Sequence, residues 1–73
     1  MSYYELGKAL LQQGHVKEAV ENLEIAAKLE PEKPEVHYQL GKAYVSAGRQ
    51  AEGKNQLEIS KRLKEKARSQ TNQ

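Results

Sequence analysis

The stretch YELGKALL at residues 4–11 returns as YQLGKAYV at residues 38–45, an offset of 34 residues. The same offset aligns residues 1–29 with residues 35–63 and gives eleven identical pairs. A chance alignment of segments this long would give about two identities at ordinary residue frequencies. The chain therefore contains two repeat units with a period of 34 residues.

Each unit has the apolar spacing of two helices joined by a glycine. In the first unit, small or apolar residues fall at i, i+3, i+4, i+7 and i+8, which is one face of a helix: Tyr3, Leu6, Gly7, Leu10 and Leu11. Gly14 ends this helix, because glycine adopts the left-handed conformation without a steric clash. A second amphipathic helix follows, and Pro31 and Pro34 end it. Repeated in the second unit, the pattern predicts four helices, at residues 2–13, 16–30, 35–47 and 50–67.

The predicted architecture is all-α, with two tandem helical hairpins and an extended last helix. We expect one domain over residues 1–68, with repeat one at residues 1–33, repeat two at residues 34–67 and a frayed polar tail at residues 69–73. The 73 residues include no Cys and only four aromatic residues, all Tyr, so the core is lean and aliphatic. Gly53 lies inside the fourth predicted helix and lowers its helix propensity by about 0.5–1 kcal/mol.

The charge balance argues against nucleic acid as the main partner. Twelve Lys and Arg oppose ten acidic residues, all Glu, for a net charge of +2. The basic excess lies in residues 61–73, where cations wind around the predicted helix; a solvated helix end explains them, and contact with an anionic partner through residues 61–68 is the alternative. No apolar run approaches the roughly 18 residues of a membrane span, so we expect a soluble protein, cytoplasmic by default.

The period and its residues resemble the tetratricopeptide repeat family, whose pattern is W-x2-L-G-x2-Y, A-x3-F, A and P. The first unit supplies Tyr3, Leu6, Gly7, Leu10, Ala19, Leu23, Ala26 and Pro31 at these positions. The second keeps His37, Leu40, Gly41, Tyr44 and Leu57, but has Gly53, Ser60 and Glu65 in place of Ala, Ala and Pro. These departures are typical of a terminal repeat. The resemblance implies a right-handed α-solenoid stack, in which Gly7 and Gly41 allow the two helices of each hairpin to approach closely.

The resemblance also implies a concave groove lined by the first helix of each hairpin. The matching positions are Tyr4, Lys8, Leu11, Gln12, Tyr38, Lys42, Val45 and Ser46. Stacked phenols beside two ammonium groups would suit a peptide carrying carboxylates. Alternatively, the two Tyr pack between helices and the two Lys are ordinary solvated residues. The subclass of the family that clamps a carboxylate needs Lys and Asn here, and Tyr stands at the first of those positions.

The expected function is therefore a protein interaction module without catalysis or cofactor. The alternative is a structural unit that forms homo-oligomers through its uncapped repeat faces, since arrays of this kind usually have three or more repeats. His15 and His37 are the only imidazoles, and no Cys or close carboxylate cluster accompanies them. Neither a metal site nor a catalytic site is predicted.

Overall fold

The computed structural model describes residues 1–71, with side chains to residue 69. Four helices account for all the regular structure described: α1 (Tyr3–Gln12), α2 (Val16–Leu29), α3 (Pro34–Ser46) and α4 (Gln50–Thr71). They form two helical hairpins, α1 with α2 and α3 with α4, and α2 packs on α3 to join the hairpins. The predicted all-α class and the number of helices are confirmed.

The glycine turns end the first helix of each hairpin as predicted. Gly14 and Gly48 have φ of 86° and 82°. After each, the chain donates back to the preceding helix: His15 N–H lies 2.9 Å from the Leu10 carbonyl oxygen, and Arg49 N–H donates at 2.8 Å to the Tyr44 carbonyl oxygen. These bonds satisfy carbonyls that the helix end would leave without partners.

Most predicted helix boundaries differ from the structure by one residue, and the end of α4 differs by four. Pro34 begins α3 rather than lying before it, because proline has no N–H and its fixed φ suits the first helical position. Helix α4 extends to Thr71, beyond the predicted end at residue 67. The predicted frayed tail at residues 69–73 therefore overlaps helix as far as Thr71, and Asn72 and Gln73 lie outside the described residues.

The core lies where α2 meets α3. Its buried side chains come from both hairpins: Ala19, Val20, Leu23, Leu40, Ala43 and Tyr44. Residues of α1 and α2 that are partly buried pack around this cluster, among them Leu10 and Val16. The hairpin junction thus supplies most of the apolar burial that holds so short a chain together.

Glycines bring the helices of each hairpin into close contact, as predicted for Gly7 and Gly41. A Cβ atom at Gly7 would lie 2.6 Å from Cγ of Leu23. At Gly41, it would lie 2.8 Å from Cγ of Leu57 and 2.9 Å from the carbonyl oxygen of Gly53. Gly53 is buried against α3, so it has a packing role that helix propensity alone did not reveal.

Candidate functional site

The α1 half of the predicted groove is partly used by the core. Tyr4 and Leu11 are partly buried and pack against the central cluster, whereas Lys8 and Gln12 are exposed. Tyr4 also lines a depression of about 280 Å³ with residues of the hairpin junction, including Glu30, Lys33 and Val36. The phenol of Tyr4 therefore has neighbours of both charge signs and much of its surface is already covered.

The α3 half of the groove is more open. Tyr38 has 42% of its surface exposed, and Val45 has 40%. Lys42 and Ser46 are also exposed. The ammonium nitrogen of Lys42 lies 5.4 Å from the centroid of the Tyr38 ring, within the range of a cation–π contact.

A second cation lies against the same ring. The ammonium nitrogen of Lys64, on the extension of α4, is 5.6 Å from the Tyr38 centroid. Tyr38 and Lys64 line a groove of about 550 Å³ between α3 and α4, to which Leu57, Lys61 and Arg68 also contribute. We call this the Tyr38 groove. It combines an exposed aromatic ring and apolar carbon with three cations and one carboxylate, Glu65, and this net positive charge suits a carboxylate attached to an apolar group.

The sequence did not place the cations of α4 in the groove. Lys61, Lys64 and Arg68 belong to the basic segment for which it favours a solvated helix end, with contact to an anionic partner as the alternative. The repeat pattern could not place them, because the first unit stops at Pro31 and has no counterpart to the end of α4. Two features of the sequence indicate their position. The second unit has Glu65 where the first has Pro31, so its last helix continues, and Lys61 and Lys64 each lie four residues after a repeat position, Leu57 and Ser60 respectively.

Ser46 lies apart from the Tyr38 groove. It lines a separate depression of about 480 Å³, formed with α2 residues such as Val16 and Val20 and with Arg49 of the α3–α4 turn. The predicted groove positions therefore do not form one site, because Tyr4, Tyr38 and Ser46 line three separate depressions. The apolar and cationic groups gather most densely around Tyr38.

Buried polar side chains fix α3 in place beneath the groove. His37 is buried, and its two ring nitrogens each lie 2.7 Å from an oxygen, Nδ1 from Oε1 of Gln56 and Nε2 from the carbonyl of Pro31. The Pro31 carbonyl can only accept, so Nε2 donates to it, and the Gln56 side-chain amide, whose nitrogen and oxygen exchange places by rotation, donates to Nδ1. His37 therefore ties α3 to the hairpin junction and to α4.

Tyr44 makes the second tie, from α3 to α2. Its hydroxyl donates to Oε2 of Glu24 at 2.6 Å, and the Arg49 guanidinium lies 4.3 Å from its ring centroid. Burial, followed by the hydrogen bond to Glu24 and the charge of that carboxylate, raises the pKa of Tyr44 to about 12. Arg49 also donates twice to Glu52 at 2.7 Å, and these bonds hold the pKa of Glu52 below its usual value.

Other classes of site find little support in the part of the chain that the structure describes. No group of three or more His or Glu side chains within residues 1–71 could hold a metal ion. His15 is exposed, with Nδ1 4.0 Å from a carboxylate oxygen of Glu18. Among the described helices, none has the length and apolar character that crossing a membrane requires.

Comparison with known families agrees with the repeat found in the sequence. A family model described as TPR repeat, the tetratricopeptide repeat, matches residues 7–48, which is more than half of the chain. The match spans the hairpin junction and includes both glycines of close approach in α1 and α3. No curated protein matches the chain.

Proposed function

The chain belongs to the tetratricopeptide repeat family, and from this premise we propose that it binds an acidic peptide segment of a partner protein in the Tyr38 groove, without catalysis. Repeats of this family generally mediate interactions between proteins. Of the eight positions that the family pattern assigns to the groove, Tyr38 lines the strongest candidate site and Lys42 lies against its ring.

The observation that carries the proposal is the pair of ammonium groups over one exposed phenol ring. Lys42 and Lys64 approach the Tyr38 ring from α3 and α4, at 5.4 and 5.6 Å. A peptide carboxylate between them would gain two charge-assisted contacts, and the ring would cover an adjacent apolar side chain. The long α4 is what brings the second cation to the groove.

The test uses a fluorescent peptide of alternating Glu and Leu, with a twin in which Gln replaces Glu. The wild-type chain should bind the Glu peptide at low salt, and Lys42→Glu with Lys64→Glu should weaken binding at least tenfold, about 1.4 kcal/mol. Lys8→Glu with Lys42→Glu should weaken it less, because Lys8 lies beyond the Tyr38 groove. Tyr38→Ala should weaken binding of both peptides, since the contact of the ring with apolar side chains does not depend on charge.

The control reverses the same amount of charge elsewhere. Lys17→Glu with Lys54→Glu changes two exposed lysines on α2 and α4, neither of which lines the Tyr38 groove. If this control weakens binding as much as Lys42→Glu with Lys64→Glu, the attraction is a general effect of net charge and the groove proposal fails. Equal affinity for the Glu and Gln peptides would also contradict it.

Self-association is the second candidate function, and a specific feature favours it. Tyr3 and Leu6 on α1, and Ile25 and Leu29 on α2, are large apolar residues that remain exposed on the first hairpin. A second copy could cover them. Sedimentation equilibrium over a wide concentration range tests this candidate, because a dimer that Leu6→Glu dissociates would support it and a monomer at all concentrations would contradict it.

A further inference from the structure

One face of α1 remains uncovered, although the corresponding face of α3 is buried. Tyr3, Leu6 and Leu10 correspond, 34 residues on, to His37, Leu40 and Tyr44. We call Tyr3 and Leu6 the α1 outer face, because Leu10 is partly buried and packs against the core. Tyr3 is 47% exposed and Leu6 39%, whereas His37 and Leu40 are 7% and 2% exposed. The difference arises because α2 packs on α3, whereas no helix within the described residues packs on α1 in the same way.

The helix that covers α3 shows what such a face accepts. Val20 of α2 belongs to the same buried cluster as Leu40 and Tyr44, and Val16 and Ala27 pack against that cluster. These α2 residues are small and apolar, at i, i+4 and i+11, so they lie along one side of the helix. Small side chains allow the two helices to approach closely over the length of the contact.

The last helix cannot serve the same role for another copy. The residues of α4 that correspond to Val16, Val20 and Ala27 are polar and exposed: Gln50, Lys54 and Lys61. Head-to-tail stacking of two copies would press two lysines against Tyr3 and Leu6, and burying unpaired ammonium groups is unfavourable. The apolar face of α1 therefore suits a further helix better than the polar face of α4 does.

We propose that the α1 outer face docks an amphipathic helix of a partner protein that presents a stripe of Val and Ala like that of α2. The α2–α3 contact within this chain supplies the template for the interface, because the two faces share period and register and Leu6 repeats Leu40. Ile25 and Leu29 lie on the C-terminal half of α2, which runs beside the first half of α1, and they would widen the apolar contact. This surface is separate from the Tyr38 groove and does not depend on it.

The first experiment offers α2 itself as the probe. A peptide of residues 14–34, acetylated and amidated, is titrated into the full 73-residue chain while the Tyr3 ring and Leu6 methyl resonances are followed. We expect saturable shifts at these residues, at least tenfold weaker binding of a twin peptide carrying Val20→Lys and Ala27→Lys, and loss of binding in chains with Tyr3→Glu or Leu6→Glu. Circular dichroism checks that both chain variants retain their helix content.

A tethered version covers the case in which the free peptide is too short to be helical. Residues 14–34 joined directly in front of Met1 reproduce the 34-residue register, with the added Val20 as far from Tyr3 as the native Val20 is from His37. The melting temperature should exceed that of the Val20→Lys, Ala27→Lys twin by about 5 °C. Equal melting temperatures would overturn the proposal, as would shifts confined to the Tyr38 groove or a wild-type dimer that Leu6→Glu dissociates.

Discussion

The two hairpins place the same repeat positions in different surroundings. Leu23 of the first hairpin is inaccessible to solvent, whereas its counterpart Leu57 is only partly buried and lines the Tyr38 groove. Leu23 is covered because the second hairpin packs on α2, while nothing in the described chain packs on α4 from the far side. The comparison shows that burial in a repeat protein depends on having a neighbour as well as on the residue itself.

The largest effect should come from truncating these two leucines. Leu23→Ala should lower the free energy of unfolding by about 3 kcal/mol, because it leaves a cavity between α1, α2 and α3. Leu57→Ala should lower it by about 1.5 kcal/mol, since partial exposure means less transfer free energy is lost and the site can fill with water. Urea denaturation of both variants and the wild type, at one temperature, provides the comparison.

The same two substitutions can overturn the comparison. If Leu57→Ala destabilises as much as Leu23→Ala, then α4 must be covered by something, and a second copy is the first candidate. Repeating the measurement at tenfold lower protein concentration distinguishes the cases, because only an oligomer changes stability with concentration. Leu57→Ala should also weaken binding of the peptide of alternating Glu and Leu, because Leu57 lines the Tyr38 groove. Leu23→Ala should leave that binding unchanged, because Leu23 does not line the groove.

The sequence predicted the elements of the fold better than the surroundings of the site. The positions of Gly14 and Gly48 determine where α1 and α3 end, because only local backbone conformation is involved. Tyr4 and Tyr38 hold the same repeat position, so the sequence could not predict that Tyr4 is partly buried and Tyr38 exposed. The second hairpin follows Tyr4, and the described chain has no further hairpin after the one that contains Tyr38. The approach of Lys64 to Tyr38 required the length and direction of α4. The groove itself stays a prediction.

Substitution of Gly53 provides the second test, because helix propensity and packing predict opposite changes in the free energy of unfolding. By helix propensity, Gly53→Ala should stabilise α4 by about 0.5–1 kcal/mol. By packing, the new Cβ atom would lie 2.8 Å from the carbonyl oxygen of Gly41 and 2.6 Å from Cγ2 of Val45. A backbone oxygen cannot move aside cheaply, so we expect Gly53→Ala to lower the free energy of unfolding by about 2 kcal/mol. Urea denaturation measures the sign directly.

The first hairpin supplies the matched control. Ala19 holds the position of Gly53 and is buried, and Gly7 holds the position of Gly41. Ala19→Gly should cost about 1 kcal/mol, from lost propensity and a small lost contact. A stabilising Gly53→Ala would mean that α3 and α4 are not as close as α1 and α2, and the packing explanation would be wrong.

The smallest change in the free energy of unfolding should come from removing the hydrogen bond from Tyr44 to Glu24, which joins the two hairpins. The counterpart of Tyr44 in the first hairpin is Leu10, which has no titratable group. Near neutral pH, Tyr44→Phe should lower the free energy of unfolding by about 1 kcal/mol, the usual contribution of one hydrogen bond. At alkaline pH the comparison changes. The pKa of Tyr44 is raised to about 12 in the folded chain, and that of an unfolded tyrosine is about 10.

Between these values the unfolded chain releases a proton that the folded chain retains, so stability falls as the pH rises through this window. Tyr44→Phe lacks this contribution and should lose less stability than the wild type over the same interval, while the other groups contribute equally to both. Glu24→Gln keeps an acceptor but removes the charge, so its fall should lie between the two. A parallel decline of the wild type and Tyr44→Phe would mean that Tyr44 ionises alike in both states and that its bond to Glu24 does not hold the hairpins together.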